Sequence, residues 1–312
     1  MSSQNRAIVD KLLTNVSQKK TAIGHISEIL LPFVGVKQRT GKIGKYGQNS
    51  LRIANTVKRG RGKYRQIEAE TRSQVSYEIE GHGLEGGVTR EDYENAEAPY
   101  DAEKDETDAI VSILLQEKEY ALASALSGSS ITQTVQLSGT DQLSDYNNSD
   151  ALAIFKTARE AVRAGCGRYP NTVWMDKSVF NVIKFHPQLM DMLGFKFARP
   201  GGLNENELAQ ALDVKRVVVA EAIYQPGNEG QTDAAVLPIW GKHLWFGVIP
   251  EVAEKNQIAL GYRLGFAGKA SRSVSKWAVN NPPGMTAILC EDEYDQYLMD
   301  VNCAYFIEDA IA

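Results

Sequence analysis

Three sets of residues have the types and spacing to do chemistry. Gly81-His-Gly83-Leu-Glu-Gly86 matches the GxGxxG pattern, whose glycines bring a backbone turn against a dinucleotide pyrophosphate at a helix N-terminus. The residues that follow, Val88-Thr-Arg-Glu-Asp-Tyr-Glu-Asn, are acidic and carry no apolar helical stripe. Negative charge there repels phosphate, so the sequence predicts a flexible turn rather than a cofactor site. Lys58-Arg-Gly-Arg-Gly-Lys-Tyr-Arg is the densest basic run and includes an aromatic, Tyr64. Such a run can hold phosphate or stack a base. It can also be an exposed loop that meets an acidic partner, and the loosening effect of Gly60 and Gly62 favours that reading. The histidines His25, His82, His186 and His243 are far apart, and none sits in HExxH spacing. Neither a GxSxG elbow nor a GxxxxGK[ST] loop occurs. Cys166, Cys290 and Cys303 are odd in number and lack a CxxC pair, which reads as buried free thiols. The chain thus offers no catalytic, cofactor-binding or metal-binding residues, and no cofactor is expected.

The basic run belongs to a wider asymmetry. From Lys37 to Arg72 the chain carries Lys42, Lys45, Lys58, Arg59, Arg61, Lys63 and Arg65 among its cations, against only Glu68 and Glu70. From Glu78 to Glu119 the balance reverses, with Glu103, Asp105, Glu106 and Asp108 near its centre. The whole chain of 312 residues has a net charge of only −5, so the asymmetry is local. A net negative chain also argues against a dedicated nucleic-acid-binding domain. Adjacent basic and acidic segments can attract each other within one chain or between copies. Between copies, the protein polymerises. No apolar run approaches the roughly 20 residues of a membrane helix. The start, Met1-Ser-Ser-Gln-Asn-Arg, lacks the apolar core of a signal peptide, and cytosolic synthesis without export is the expectation.

The elements that must position these residues follow from periodicity. Ile8, Leu12, Leu13, Val16, Ile26, Ile29 and Leu30 fit two short helical stretches ending before Pro32. Val34 to Ile79 is glycine-rich, basic and poor in large apolar residues. A long, extended, twisted hairpin that packs on something else is the physical reading. After Pro99 comes the clearest helix, capped by Asp101, with acids in its first turns and Val111, Leu114, Leu115, Leu122 and Leu126 at helical spacing. A strand at Ile131 to Leu137 and a helix from about Asp150 to Ala164 come next. From Pro170 onward strands and helices alternate as an α/β module, with Trp240, Trp245 and Phe246 as strand core. The end reads as strands at Val274 to Val279, Thr286 to Cys290 and Leu298 to Ile307.

This order of parts resembles the major capsid proteins of tailed double-stranded DNA phages, the Hong Kong 97 type fold. Leu31-Pro-Phe-Val-Gly-Val-Lys-Gln-Arg-Thr-Gly-Lys resembles the approach to that family's extended loop. Glu80-Gly-His-Gly-Leu-Glu, leading to Asp105-Glu-Thr-Asp-Ala and Glu117-Lys-Glu-Tyr-Ala, resembles the lead into its spine helix. Tyr169-Pro-Asn-Thr-Val-Trp-Met-Asp and Phe185-His-Pro-Gln-Leu-Met-Asp resemble the start of its axial domain, and Val214-Lys-Arg-Val-Val-Val-Ala-Glu-Ala-Ile-Tyr through Ile239-Trp-Gly-Lys that domain's later strands.

The resemblance implies an α+β shell subunit. Its parts would be an N-terminal arm at 1–36, an extended loop at 37–80, and a peripheral domain from 81–165 with a spine helix at about 101–127. An α/β axial domain would span 166–268, and the returning strands of the peripheral domain 269–312. It implies an icosahedral head around double-stranded DNA, built from pentamers and hexamers of this chain and located in the virion after synthesis in host cytoplasm. A separate scaffolding protein, a portal and a decoration protein are the partners expected, with non-specific contact to packaged DNA and no membrane. Lys42, Lys45, Lys58, Arg59, Arg61, Lys63 and Arg65 would face Glu103, Asp105, Glu106 and Asp108 of a neighbouring copy. Two alternatives stand beside this reading: an encapsulin-like nanocompartment, and a nucleotide-dependent α/β enzyme.

Overall fold

The computed structural model describes residues 8–20, 23–44, 53, 57, 74–96, 101–127, 131–194, 201–227, 235–252, 257–268, 272–279 and 284–312. Its longest element is the helix Ala102–Ser127, 26 residues, about 39 Å at 1.5 Å per residue. Asp101 Oδ1 accepts from Lys104 N at 3.4 Å, and Glu103 and Asp105 occupy the first turn, where the helix dipole favours negative charge. Its apolar residues divide by depth. Ile110, Val111, Leu114 and Leu115 enter a core with Leu13, Val88, Val274 and Ile288. Leu122, Ala123 and Leu126 enter a second core with Phe155, Trp174, Trp240, Trp245 and Phe246. One stiff rod therefore joins two lobes.

One lobe, labelled peripheral after the expected part it overlaps, is a sheet whose central strand is Met285–Leu298. On one side it pairs antiparallel with Arg272–Val279 and Gly261–Phe266, and on the other with Glu80–Thr89. Ile8–Val9 and Phe33–Val36 close the flanks. The hairpin strands Thr40–Gly44 and Gln74–Glu78 pair antiparallel at its margin. Tyr77 and Ile79 at their base pack with Tyr262, Leu264, Tyr297 and Met299. The other lobe, labelled axial in the same way, holds a sheet in the order Thr134–Gln136, Ala304–Glu308, Leu244–Gly247, Thr172–Asp176, Arg216–Ala220. The helices Ala151–Cys166, Lys177–Ile183, Pro187–Met192 and Glu205–Ala211 surround it. Asp150, Asp176 and Asn204 cap three of them with side-chain acceptors. Trp174 and Trp245 stack at 6.1 Å, and Trp240 meets Trp245 edge-on at 5.2 Å. Cys166, Cys290 and Cys303 are buried free thiols.

Three local expectations change. Gly81 to Gly86 is not a flexible turn but part of the ten-residue strand Glu80–Thr89. A Cβ on Gly86 would collide with Glu106 and Ile110 of the long helix, so this glycine lets helix and strand lie close together. The end of the chain has one strand of 14 residues at Met285–Leu298 instead of a break after Cys290. Its acidic stretch stays in the ladder because Asp292 and Tyr294 turn inward, 5% and 6% exposed. Finally, Ala304–Glu308 leaves the peripheral sheet and runs inside the axial one, where Tyr305, Phe306 and Ile307 are all buried. A strand covered on both faces shows no alternation to reveal its sheet. Thr134–Gln136 and Gly261–Phe266 likewise lie in the axial and peripheral sheets respectively, so the chain passes between lobes more often than its linear order suggests.

Candidate interaction surface

The inward side of the long helix uses its charges within the chain. Glu119 is fully buried; its Oε1 accepts from Ile26 N at 2.8 Å and Trp240 Nε1 at 2.7 Å, and its Oε2 from Ser27 N at 2.8 Å. One carboxylate thus ties the helix to the N-terminal segment and the axial lobe. Lys118, 2% exposed, lies 3.4 Å from Glu28 Oε1 and 3.6 Å from Asp292 Oδ2. Arg263 Nη1 reaches the same Glu28 oxygen at 2.7 Å. Burial lowers the Lys118 pKa, reinforced by Arg263 and opposed by Asp292 and Glu28. Burial raises the Asp292 carboxyl, opposed by Lys118, Arg263 and Arg272. For Glu28 burial pushes upward, yet the charges of Lys118 and Arg263 outweigh it and hold the carboxyl low.

The acids at the helix start divide. Glu103 Oε2 meets Lys276 Nζ at 2.9 Å, while Tyr93 Oη donates to Glu103 Oε1 at 2.7 Å. Asp10 Oδ2 takes Lys276 Nζ from the other side at 2.8 Å. The hydrogen bonds that Lys276 donates to Asp10, then to Glu103, raise the lysine pKa. The backbone oxygen of Asp108 accepts from Lys20 Nζ at 2.8 Å, and its carboxylate lies 3.6 Å from the same ammonium. Glu106 lies against Gly86. Asp105 is exposed. Of the expected basic residues, Lys42 is exposed on the hairpin strand opposite Ser76. Lys45, Lys58, Arg59, Arg61, Lys63 and Arg65 lie outside the described residues. Within that loop Ile53 and Val57 are exposed, at 101% and 72%.

The outward side of the helix forms a different surface. Asp105, Ala109, Ile113, Glu117 and Ala121 succeed one another at a spacing of four, and all are exposed; that spacing sets them along one stripe. Tyr120 flanks them and tilts against Tyr224 at 5.1 Å. Gln116 Nε2 donates to Ile223 O at 2.9 Å, joining the stripe to the small hairpin of Ile223–Tyr224 and Leu237–Pro238. Ile113 is 55% exposed and Ile223 56%. An uncovered face with apolar residues between two carboxylates suits a partner that is basic and apolar in alternation.

Sequence reasoning missed Lys118 and Glu119, which read as part of the solvated run Glu117-Lys-Glu-Tyr. Their signal is position: each lies four residues after a core leucine, Leu114 or Leu115, on the buried side. Among the described residues no group of three His, Cys, Asp or Glu side chains is placed to hold a metal, and no helix is long and apolar enough to cross a membrane.

No protein-family profile matches the chain. The major capsid protein of Burkholderia phage BcepMu is 30% identical over 245 residues, covering 78% of this chain and 77% of that one. The major capsid protein of Pseudomonas phage JBD67 is 22% identical over 296 residues, 92% of each. A phage-related protein of Bordetella bronchiseptica RB50 superposes with a TM-score of 0.75 at 22% identity over 98% of each chain. An encapsulin from Synechococcus elongatus PCC 7942 superposes at 0.54 with 11% identity over 97% of this chain and 96% of that one.

Proposed function

The chain belongs to the phage major capsid protein family, has the Hong Kong 97 type fold and forms a capsid shell; on that premise we propose how its copies meet and what they enclose. Copies gather as pentamers and hexamers through the axial lobe and close into an icosahedral head around the double-stranded DNA of a tailed phage. Residues 1–36 act as the arm and 37–80 as the extended loop. The peripheral part takes the strands Glu80–Thr89, Gly261–Phe266, Arg272–Val279 and Met285–Leu298, and the axial part the sheet that includes Thr134–Gln136 and Ala304–Glu308. Assembly takes place in the host cytoplasm with a separate scaffold, a portal and a decoration protein as partners. The role is structural, without a catalytic step.

The observation that carries this reading is the uncovered stripe of Asp105, Ala109, Ile113, Glu117 and Ala121 on the long helix. The extended loop of a neighbour, basic and bearing exposed Ile53 and Val57, is its complement. Single exposed ion pairs contribute only about 0–1 kcal/mol, so apolar contact at Ile113 and repetition over many interfaces hold the shell. Reversing Arg59, Arg61 and Lys63 to Glu is expected to leave a folded, soluble protein that forms no shells in negative-stain microscopy. Normal shells from that variant would exclude the loop-to-helix contact. The encapsulin likeness supports a second reading, a nanocompartment around protein cargo. Nucleic acid against protein in purified particles separates the two.

A further inference from the structure

Lys118 of the long helix and Asp292 of the central peripheral strand are buried together. Lys118 Nζ lies 3.6 Å from Asp292 Oδ2 and 3.4 Å from Glu28 Oε1. Gln296 Nε2 donates to Lys118 O at 2.8 Å, which fixes the helix against that strand. The ring of Tyr294 walls the site, its centroid 4.8 Å from the lysine nitrogen. Arg263 Nη1 holds the same Glu28 oxygen at 2.7 Å.

A buried ammonium and carboxylate in contact can share out one proton and become an amine and a carboxylic acid, because burial disfavours both charged forms. It acts that way on each partner here, lowering the Lys118 pKa and raising that of Asp292. An amine held against a carboxylic acid is placed to condense with it. Fixed contact replaces the entropy of encounter, and exclusion of water opposes the reverse hydrolysis. Glu28 differs from both. Burial pushes its carboxyl up, but the charges of Lys118 and Arg263 outweigh this and keep it ionised. Its side chain is 47% exposed, which opens a way out for water.

We propose that Lys118 and Asp292 join in an isopeptide bond within one chain, with Glu28 as the proton carrier. Lys118 Nζ attacks Asp292 Cγ, and the C–N bond forms. Glu28 takes a proton from the attacking nitrogen and returns it to the departing hydroxyl oxygen of Asp292. That C–O bond breaks and one water leaves. No oxidant, reductant or other reactant is consumed. The reaction occurs once per chain and turns over no substrate. It removes one buried charge of each sign and leaves Glu28 and Arg263 as a complete pair. The amide keeps a carbonyl oxygen, an acceptor for Arg272, which stands opposite Asp292 in the ladder. The long helix is then tied covalently to the sheet it packs on.

The test is the intact mass of the purified, denatured chain, which should be lighter than its sequence by one water. Trypsin should no longer cut after Lys118, and fragmentation should find a branched peptide joining Lys118 to Asp292. Lys118→Arg should restore the full mass. Glu28→Gln keeps the shape of a partly exposed side chain and should leave the circular-dichroism spectrum unchanged. It should slow the appearance of the branched peptide at least about a hundredfold. A parent chain of full mass, cut normally after Lys118, holds an ion pair only and overturns the proposal. A lost water mapped to another site, or a link between two chains seen as a dimer on a denaturing gel, overturns it as well. Formation at the parental rate in Glu28→Gln contradicts the role of Glu28. The mass is read on the unassembled chain, so its outcome is separate from that of the shell reading.

Discussion

Two faces of one helix treat the same residue types in opposite ways. On the inward face Lys118 and Glu119 are buried and matched to Glu28, Asp292, Trp240 and two backbone amides. On the outward face Asp105 and Glu117 are exposed, with Ile113 uncovered between them. A charge buried without its partner is costly, so the inward set must be complete in the isolated chain. The outward set is under no such demand and is available to another molecule. On the proposed reading, the difference separates residues that make the subunit from residues that make the shell.

The largest expected effect breaks the inward face. Glu119→Ala leaves Ile26 N, Ser27 N and Trp240 Nε1 unsatisfied and should cost about 3–5 kcal/mol in urea unfolding. Lys118→Met comes next, at about 3 kcal/mol, because Asp292 is left buried beside no ammonium. If both variants unfold like the parent, the inward set is not structural. Ile113→Glu sharpens the contrast from the other side. Its unfolding should stay within about 0.5 kcal/mol of the parent, while megadalton material disappears from the sizing column. Rising salt should weaken assembly more gently, since screening acts over about 8 Å at 0.15 M; assembly indifferent to salt shifts the credit to Ile113 and its apolar neighbours.

The smallest effect is on pH. Burial holds the imidazoles of His186 and His243 below the ordinary 6.5, against the opposing pull of Asp150, and of Asp309 and Glu308. As pH falls past about 6.5 the unfolded chain takes up these protons before the folded one. Stability of the axial lobe is therefore full above that pH and declines below it. Melting temperatures from pH 7.5 to 5.5 should show that slope (about two pH units, within the histidine range), and His186→Asn should flatten it.

Much of this architecture is legible in the sequence because its signals are local. The capped acidic start of the long helix, the restart at His186-Pro187 and the caps at Asp150 and Asp176 all lie within one turn of the elements they define. What depends on distant partners is not legible. Nothing near Ala304–Glu308 says which sheet it joins, because a fully buried strand carries no alternation. Gly81 to Gly86 reads as a turn until the long helix supplies the reason for the glycines. The proposed interaction surface is legible as a charge contrast, but not residue by residue. Glu103 and Asp108 belong to the same acidic run as Asp105, yet they meet Lys276 and Lys20 of their own chain. Glu117 emerges instead, since helix phase against a folded core decides which acids remain outward.

The most direct test is hydroxyl-radical footprinting of the long helix before and after assembly. The account predicts that Ile113 and Tyr120 react readily in the unassembled subunit and become strongly protected in the shell, at about a tenth of the rate or less. Equal reactivity of Ile113 and Tyr120 in both states would contradict it.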